Sequence, residues 1–180
     1  AALKGAGGLD GDHIGEFGPR ARVILSRKGL EFGRTEKGLV MDYQFDAAAK
    51  DELNKTLVWS SEYSVGVTEL DHDHMMVFNA INQFKNGIRL KYEIDFVEQL
   101  FTMLLEHADA HFRAEEQHMA KIGYAGLEPH KAEHQAMKRE LDNLYAKFQA
   151  GGAAAVGDLL AFLNSWWLRH ITEDDAKYKT

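Results

Sequence analysis

The stretch from His107 to His134 constrains this chain more than any other. It reads HADAHFRAEEQHMAKIGYAGLEPHKAEH and holds five of the nine histidines. His111 and Glu115 are four residues apart, and so are His130 and His134. On an α-helix, residues at that spacing share a face, with side chains roughly 5–6 Å apart. Each pair is therefore a two-toothed metal clip, and the clips flank a turn that holds Gly123 and Gly126. One more histidine, His74, lies upstream, and a His–carboxylate group, His170 with Asp174 and Asp175, lies downstream. The pattern points to a metal site inside a helical bundle.

With 180 residues there is room for one domain and an appendage. The net charge of −7 and the pI near 5.7 argue against a nucleic-acid binder, which needs a basic face. No stretch stays apolar over the roughly 18 residues that a membrane span requires. The opening AALKGAGG lacks the charged and apolar regions of a signal peptide. Cysteine is absent, which excludes disulfides, thiolate chemistry and Cys-ligated zinc. The expected location is the cytoplasm. The first residue is Ala rather than Met, so a piece processed from a longer chain is expected.

Two parts are expected along the chain. Residues 1–56 are a Gly-rich N-terminal extension, a linker or docking arm outside the bundle. The runs RVIL at 22–25 and LVMDYQF at 39–45 have the make-up of short β-strands. DAAAKDELNK has helix-forming composition. From residue 57 to 180 the apolar spacing is helical. Asp71 is placed as the N-cap of a first helix carrying His74, Phe78, Ile81, Phe84 and Ile88 on one stripe. A second helix over 94–121 carries Leu100, Leu104, His107, His111, Glu115 and His118. A third, over 128–149, has Pro129 in its first turn and ends at Gly151 and Gly152. A fourth, over 153–176, carries Leu159, Leu160, Leu163, Trp167 and His170. The fold class is all-α, an up-down-up-down four-helix bundle.

Every helix of that bundle puts at least one His on its apolar stripe. Burying imidazoles and carboxylates without partners costs several kcal/mol each. A metal takes their lone pairs and removes the cost. Imidazole with carboxylate suits Fe, Zn, Mn and Cu. The donors are too many for one tetrahedral zinc. They suit two octahedral ions bridged by carboxylates.

The sequence resembles the hemerythrin family. The resemblance rests on His74, then HFRAE (His111, Glu115), then HKAEH (His130, His134), then HITEDD (His170, Asp175). WSSEYSVGVTELDHDHMMVF is similar to the family's lead-in and WLRHI to the start of its last motif. The match covers about residues 57–178. It implies two non-haem irons joined by an oxo or hydroxo bridge. His130, His134 and His170 would hold one iron, and His74 and His111 the other, which keeps an open position. Glu115 and Asp175 would bridge both. The implied activity is reversible O2 binding rather than catalysis, for carriage, storage or delivery. The alternatives are an O2 or redox sensor domain of a signalling protein, and a di-iron enzyme or iron-handling protein. A protein partner or fused module would engage residues 1–56.

Three points qualify the pattern. The fifth residue after His170 lies about 140° round a regular helix, so periodicity favours Asp174 while the resemblance favours Asp175. With Asp175 as ligand, the last turns must widen, leaving Asp174 facing solvent. His107 and His118 share the stripe one turn from the site, as extra ligands or hydrogen-bonding neighbours. His72 is expected at the surface, and His13 has no visible role. Glu115–His118 and Glu69–His72 each spell the Glu-x-x-His of ferritin-like centres, a reading that leaves His74, His130, His134 and His170 unused. Phe78, Leu104, Phe112, Trp167 and Ile171 are expected to wall the O2 site. Trp59 and Tyr63 are expected to close one end of the bundle.

Overall fold

The computed structural model describes residues 31–35, 38–42, 45–150 and 153–179. A two-stranded antiparallel ribbon comes first, β1 (Glu31–Thr35) and β2 (Gly38–Asp42), with Phe32 opposite Met41. Then come α1 (Ala47–Asn54), α2 (Thr68–Arg89), α3 (Ile94–Ile122), α4 (Leu127–Gln149) and α5 (Ala153–Arg169). The last four form the up-down-up-down bundle. The strand expected at 22–25, His13 and the glycine stop at 151–152 lie outside the described residues.

The apolar stripes close the bundle as their spacing requires. Val77, Phe78, Ile81, Phe84 and Ile88 of α2 meet Leu100, Phe101 and Leu104 of α3, with Met137, Leu141, Leu144 and Phe148 of α4 and Leu159, Leu160 and Leu163 of α5. Each buried side chain of this size contributes roughly 1.5–3 kcal/mol. Gly123 ends α3 in the left-handed region at φ 68°. The Tyr124 amide then donates to the Met119 carbonyl at 2.9 Å and the Gly123 amide to Ala120 at 3.2 Å. This double closure lets the chain reverse within four residues and aim α4 back along α3.

Asp71 is not the N-cap of α2. The helix starts at Thr68, and Val67 before it supplies no side-chain cap. Asp71 sits in the first turn and accepts from Ser64 Oγ at 2.6 Å and the Val65 amide at 2.8 Å. Its carboxylate thus ties down the incoming segment. Further back, Asn82 exchanges two hydrogen bonds with the backbone of Leu57, at 3.0 and 2.7 Å. These two clips hold residues 57–65 along α2.

The helix α1 lies within the stretch assigned to the extension, and it packs on α5. Ala49 and Leu53 are buried, and Gly157 of α5 leaves room for Ala49, which a Cβ there would meet at 3.2 Å. The contact is fixed by a buried polar network. Lys85 of α2 donates to Asn164 Oδ1 of α5 at 2.8 Å and to the Lys55 carbonyl. Asn164 Nδ2 donates to both the Glu52 carbonyl and the Glu52 carboxylate at 2.9 Å. Burial brings the Lys85 ammonium down to about 8 from its ordinary 10.5. Between those values the unfolded chain binds more protons than the folded one, so this group makes stability rise with pH. Urea melts from pH 8 to 10 are expected to show wild type gaining on Lys85→Met by at most about 1.4 kcal/mol per pH unit. Parallel curves would mean that the lysine is not held as described.

Candidate metal centre

All of the candidate ligands converge on one level of the bundle. His74 comes from α2, His111 and Glu115 from α3, His130 and His134 from α4, and His170 and Asp175 from the end of the chain. Each is buried, none more than 4% exposed. Their donor atoms fall into two groups, each with all atoms within 4.8 Å of one another. One group is Glu115, His130, His134 and His170; the other is His74, His111, Glu115 and Asp175.

The distances show how the groups join. Glu115 Oε2 lies 3.1 Å from His134 Nε2, 3.3 Å from His130 Nε2 and 3.6 Å from His111 Nε2. Asp175 turns Oδ2 to His74 Nε2 at 3.2 Å and Oδ1 to His170 Nε2 at 3.1 Å and His130 Nε2 at 3.4 Å. Each carboxylate therefore faces histidines of both groups. His134 Nε2 and His170 Nε2 stand 3.1 Å apart.

Asp175 reaches this place because the chain leaves the α-helical pattern. After α5 ends at Arg169, His170–Asp174 form a π turn, and Asp175–Tyr178 a 3-10 turn. The wider turn absorbs one extra residue, so side chains five apart share a face. The widening matches the sequence expectation, but Asp174 does not face solvent. It is buried, receives Lys177 Nζ at 2.7 Å and lies 3.7 Å from His170 Nδ1.

The electrostatics fit a cation. Burial holds the His74 imidazole down to about 4 and His111 well below the ordinary value. Both are thus neutral, the form that ligates metal. Burial acts to raise Glu115, but His130, His134 and His170 around it hold it well below the usual carboxylate range. Burial and the neighbouring Glu115 charge push Asp175 well above that range. Both nitrogens of His74 and His111 and both oxygens of Asp175 lack hydrogen-bond partners. Fully buried polar atoms of this kind are costly unless something binds them. The donor set, imidazole with bridging-type carboxylates, is the kind that iron takes.

Other sequence candidates fall elsewhere. His72 is exposed, as expected. His107 is half-buried. His118 is half-buried against Tyr178, with ring centroids 6.0 Å apart. Neither belongs to the two donor groups. Glu69, Glu106 and Glu173 are exposed, so the carboxylates that the ferritin-like reading needs do not face inward. Trp59 is closer to the site than an end plug, stacked on His74 at 6.0 Å.

Sequence reasoning missed three neighbours. Tyr178 is buried and its hydroxyl donates to Glu115 Oε1. Glu116 Oε1 sits 2.9 Å from His134 Nδ1 and fixes that ring. Trp166 stacks on His170 at 4.3 Å. Glu116 was legible as an acid beside a ligand. Tyr178 was not, because its inward direction depends on the two irregular turns before it.

Comparison with known proteins follows the same outline. The family model for the hemerythrin HHE cation binding domain matches residues 65–180. The chain belongs to the hemerythrin family. A bacteriohemerythrin of Methylococcus capsulatus is 30% identical over 123 residues, covering 68% of this chain and 93% of the relative. One from Clostridium acetobutylicum is 26% identical over 125 residues, covering 67% of this chain and 97% of its own. A crystal structure of a hemerythrin point variant superposes with a TM-score of 0.61 at 28% identity, over 68% of this chain and 94% of that one. Membership in the hemerythrins implies a di-iron centre and, in general terms, an O2-binding protein. Replacing Tyr178 with Phe leaves Glu115 Oε1 buried without its donor. The loss is expected to cost about 1–3 kcal/mol, at roughly 2–4 °C of melting temperature per kcal/mol, in a metal-loaded thermal melt. No shift would mean that Tyr178 is not a partner of Glu115.

Proposed function

We propose that this chain binds O2 reversibly at a di-iron centre and serves as an O2 carrier or store rather than as an enzyme. The observation that carries the proposal is the pair of buried donor groups sharing Glu115, with unpartnered lone pairs on His74, His111 and Asp175. In this reading His130, His134 and His170 hold one iron and His74 and His111 the other. Glu115 and Asp175 serve both. Two ferrous ions held there would supply the electron pair that reversible O2 binding needs.

The side chains supply the rest. The His74–His111 side has two histidines against three on the other, and in this reading the difference is the position a small ligand takes. Phe78, Leu104, Phe112, Trp167 and Ile171 are all buried in the core, and in this reading they wall the O2 site. Such a wall excludes the water and protons that would drive bound O2 off in reduced form. Phe112 stacks on His134 at 3.9 Å and fixes that ring from one side.

A sensor reading has one observation in its favour. The Lys85–Asn164–Glu52 network ties α1 to α5, the helix that leads into His170. No helix among the described residues is long and apolar enough to cross a membrane.

Iron analysis with absorption spectra separates these readings. A carrier is expected to hold two irons per chain and to show a visible charge-transfer band that forms in air and disappears when O2 is removed. A band that forms once and does not reverse would favour the redox sensor. Fewer than two irons would contradict the di-iron reading.

A further inference from the structure

Among the described residues, buried side-chain polar atoms without a partner fall on His74, His111, His118, His170, Asp175 and Trp167. Four of these are proposed ligands, whose lone pairs a cation can take. Trp167 is different in kind. Its indole nitrogen only donates, so no metal can satisfy it. The residue is 0% exposed, so bulk water cannot satisfy it either. A buried donor left unmet costs about 1–3 kcal/mol.

The surroundings of Trp167 narrow the choice of acceptor. Phe112 stacks on it, with centroids 5.5 Å apart and planes 14° apart. Trp166 meets it edge-on at 5.2 Å. Neither neighbour offers an acceptor, since Phe112 has no polar atom and the indole of Trp166 only donates. The neighbouring rings with acceptor nitrogens are His111 at 5.8 Å and His170 at 6.3 Å. His111 belongs to the group with two histidines rather than three, the side on which the proposed reading puts the small ligand. His170 is already covered on one face by Trp166.

We propose that Trp167 is a specificity-determining residue of the ligand pocket. Its indole N–H donates a hydrogen bond to a small acceptor molecule bound beside His111. The proposal rests on the di-iron reading above. It makes the wall apolar everywhere but at one donor. A diatomic or small anion that gathers negative charge on binding gains from that donor. A ligand of the same size that accepts no hydrogen bond does not. The residue acts on affinity and retention, while the metal stays with the histidines and carboxylates.

The test uses the full chain, loaded with iron, oxidised and labelled with 15N, and azide as the probe anion. The chain has three tryptophans, and Trp167→Phe assigns the indole signal of interest. The Trp167 N–H resonance is expected to move with the same midpoint as the azide-induced absorption change. Trp167→Phe is expected to bind azide about ten- to hundredfold more weakly, with iron content unchanged. An absorption change with a stationary Trp167 resonance, or an unaltered azide affinity in the variant, overturns the proposal and leaves the di-iron reading intact. Fewer than two irons with no absorption change overturns both. Should Trp167→Phe fail to fold, Trp59→Phe and Trp166→Phe assign the other two indole signals, and the response of the remaining one to azide decides the matter.

Discussion

The buried carboxylate of Glu115 is the constraint on which the rest of this structure depends. It has no exposure, and one of its oxygens faces imidazole nitrogens from three different helices or turns. Its other oxygen accepts from Tyr178. A lone carboxylate in such a place would be strongly disfavoured. It is tolerated because α3, α4 and the turns after α5 each present a partner to it. That requirement fixes the helices in register, since sliding any one by a turn moves its histidine roughly 5 Å out of reach. The apolar stripes above and below supply the packing energy, but they would accept several registers. The polar layer selects one.

The irregular end of α5 follows from the same constraint. His170 and Asp175 must both face the centre although they are five residues apart. A regular helix would carry Asp175 well round its axis. The π turn over His170–Asp174 brings it back. The same turn lets Tyr178 point inward and places Asp174 beside His170 Nδ1 rather than in solvent. One local distortion thus supplies a shared carboxylate, a donor to Glu115 and a carboxylate behind a histidine.

Much of this was legible in the residues because it rests on short spacings. The pairs at His111/Glu115 and His130/His134 lie on regular helix, where a step of four keeps a face. Periodicity therefore puts them on the inward face where the structure has them, along with the four apolar stripes. What spacing could not give depends on departures from regularity or on contacts between distant segments. Asp71 looked like a helix cap, yet its carboxylate serves Ser64 and Val65 of the preceding loop. Trp59 looked like an end plug, but the Asn82–Leu57 clip lays it against His74. Lys85 sits on a helix face among apolar residues, and its burial is explained by partners distant in the chain, Asn164 and the Lys55 carbonyl. Tyr178 lies beyond two irregular turns, so no helical wheel could aim it.

In the proposed centre, seven side chains hold two irons that share Glu115 and Asp175. A crystal structure of the iron-loaded chain, with data collected at the iron absorption edge, tests this. Two anomalous peaks per chain are expected. One should lie within bonding distance of His74 and His111, the other of His130, His134 and His170, with both carboxylates touching each. A single peak, or a peak at the alternative group of Glu133, His170 and Asp174, would contradict it.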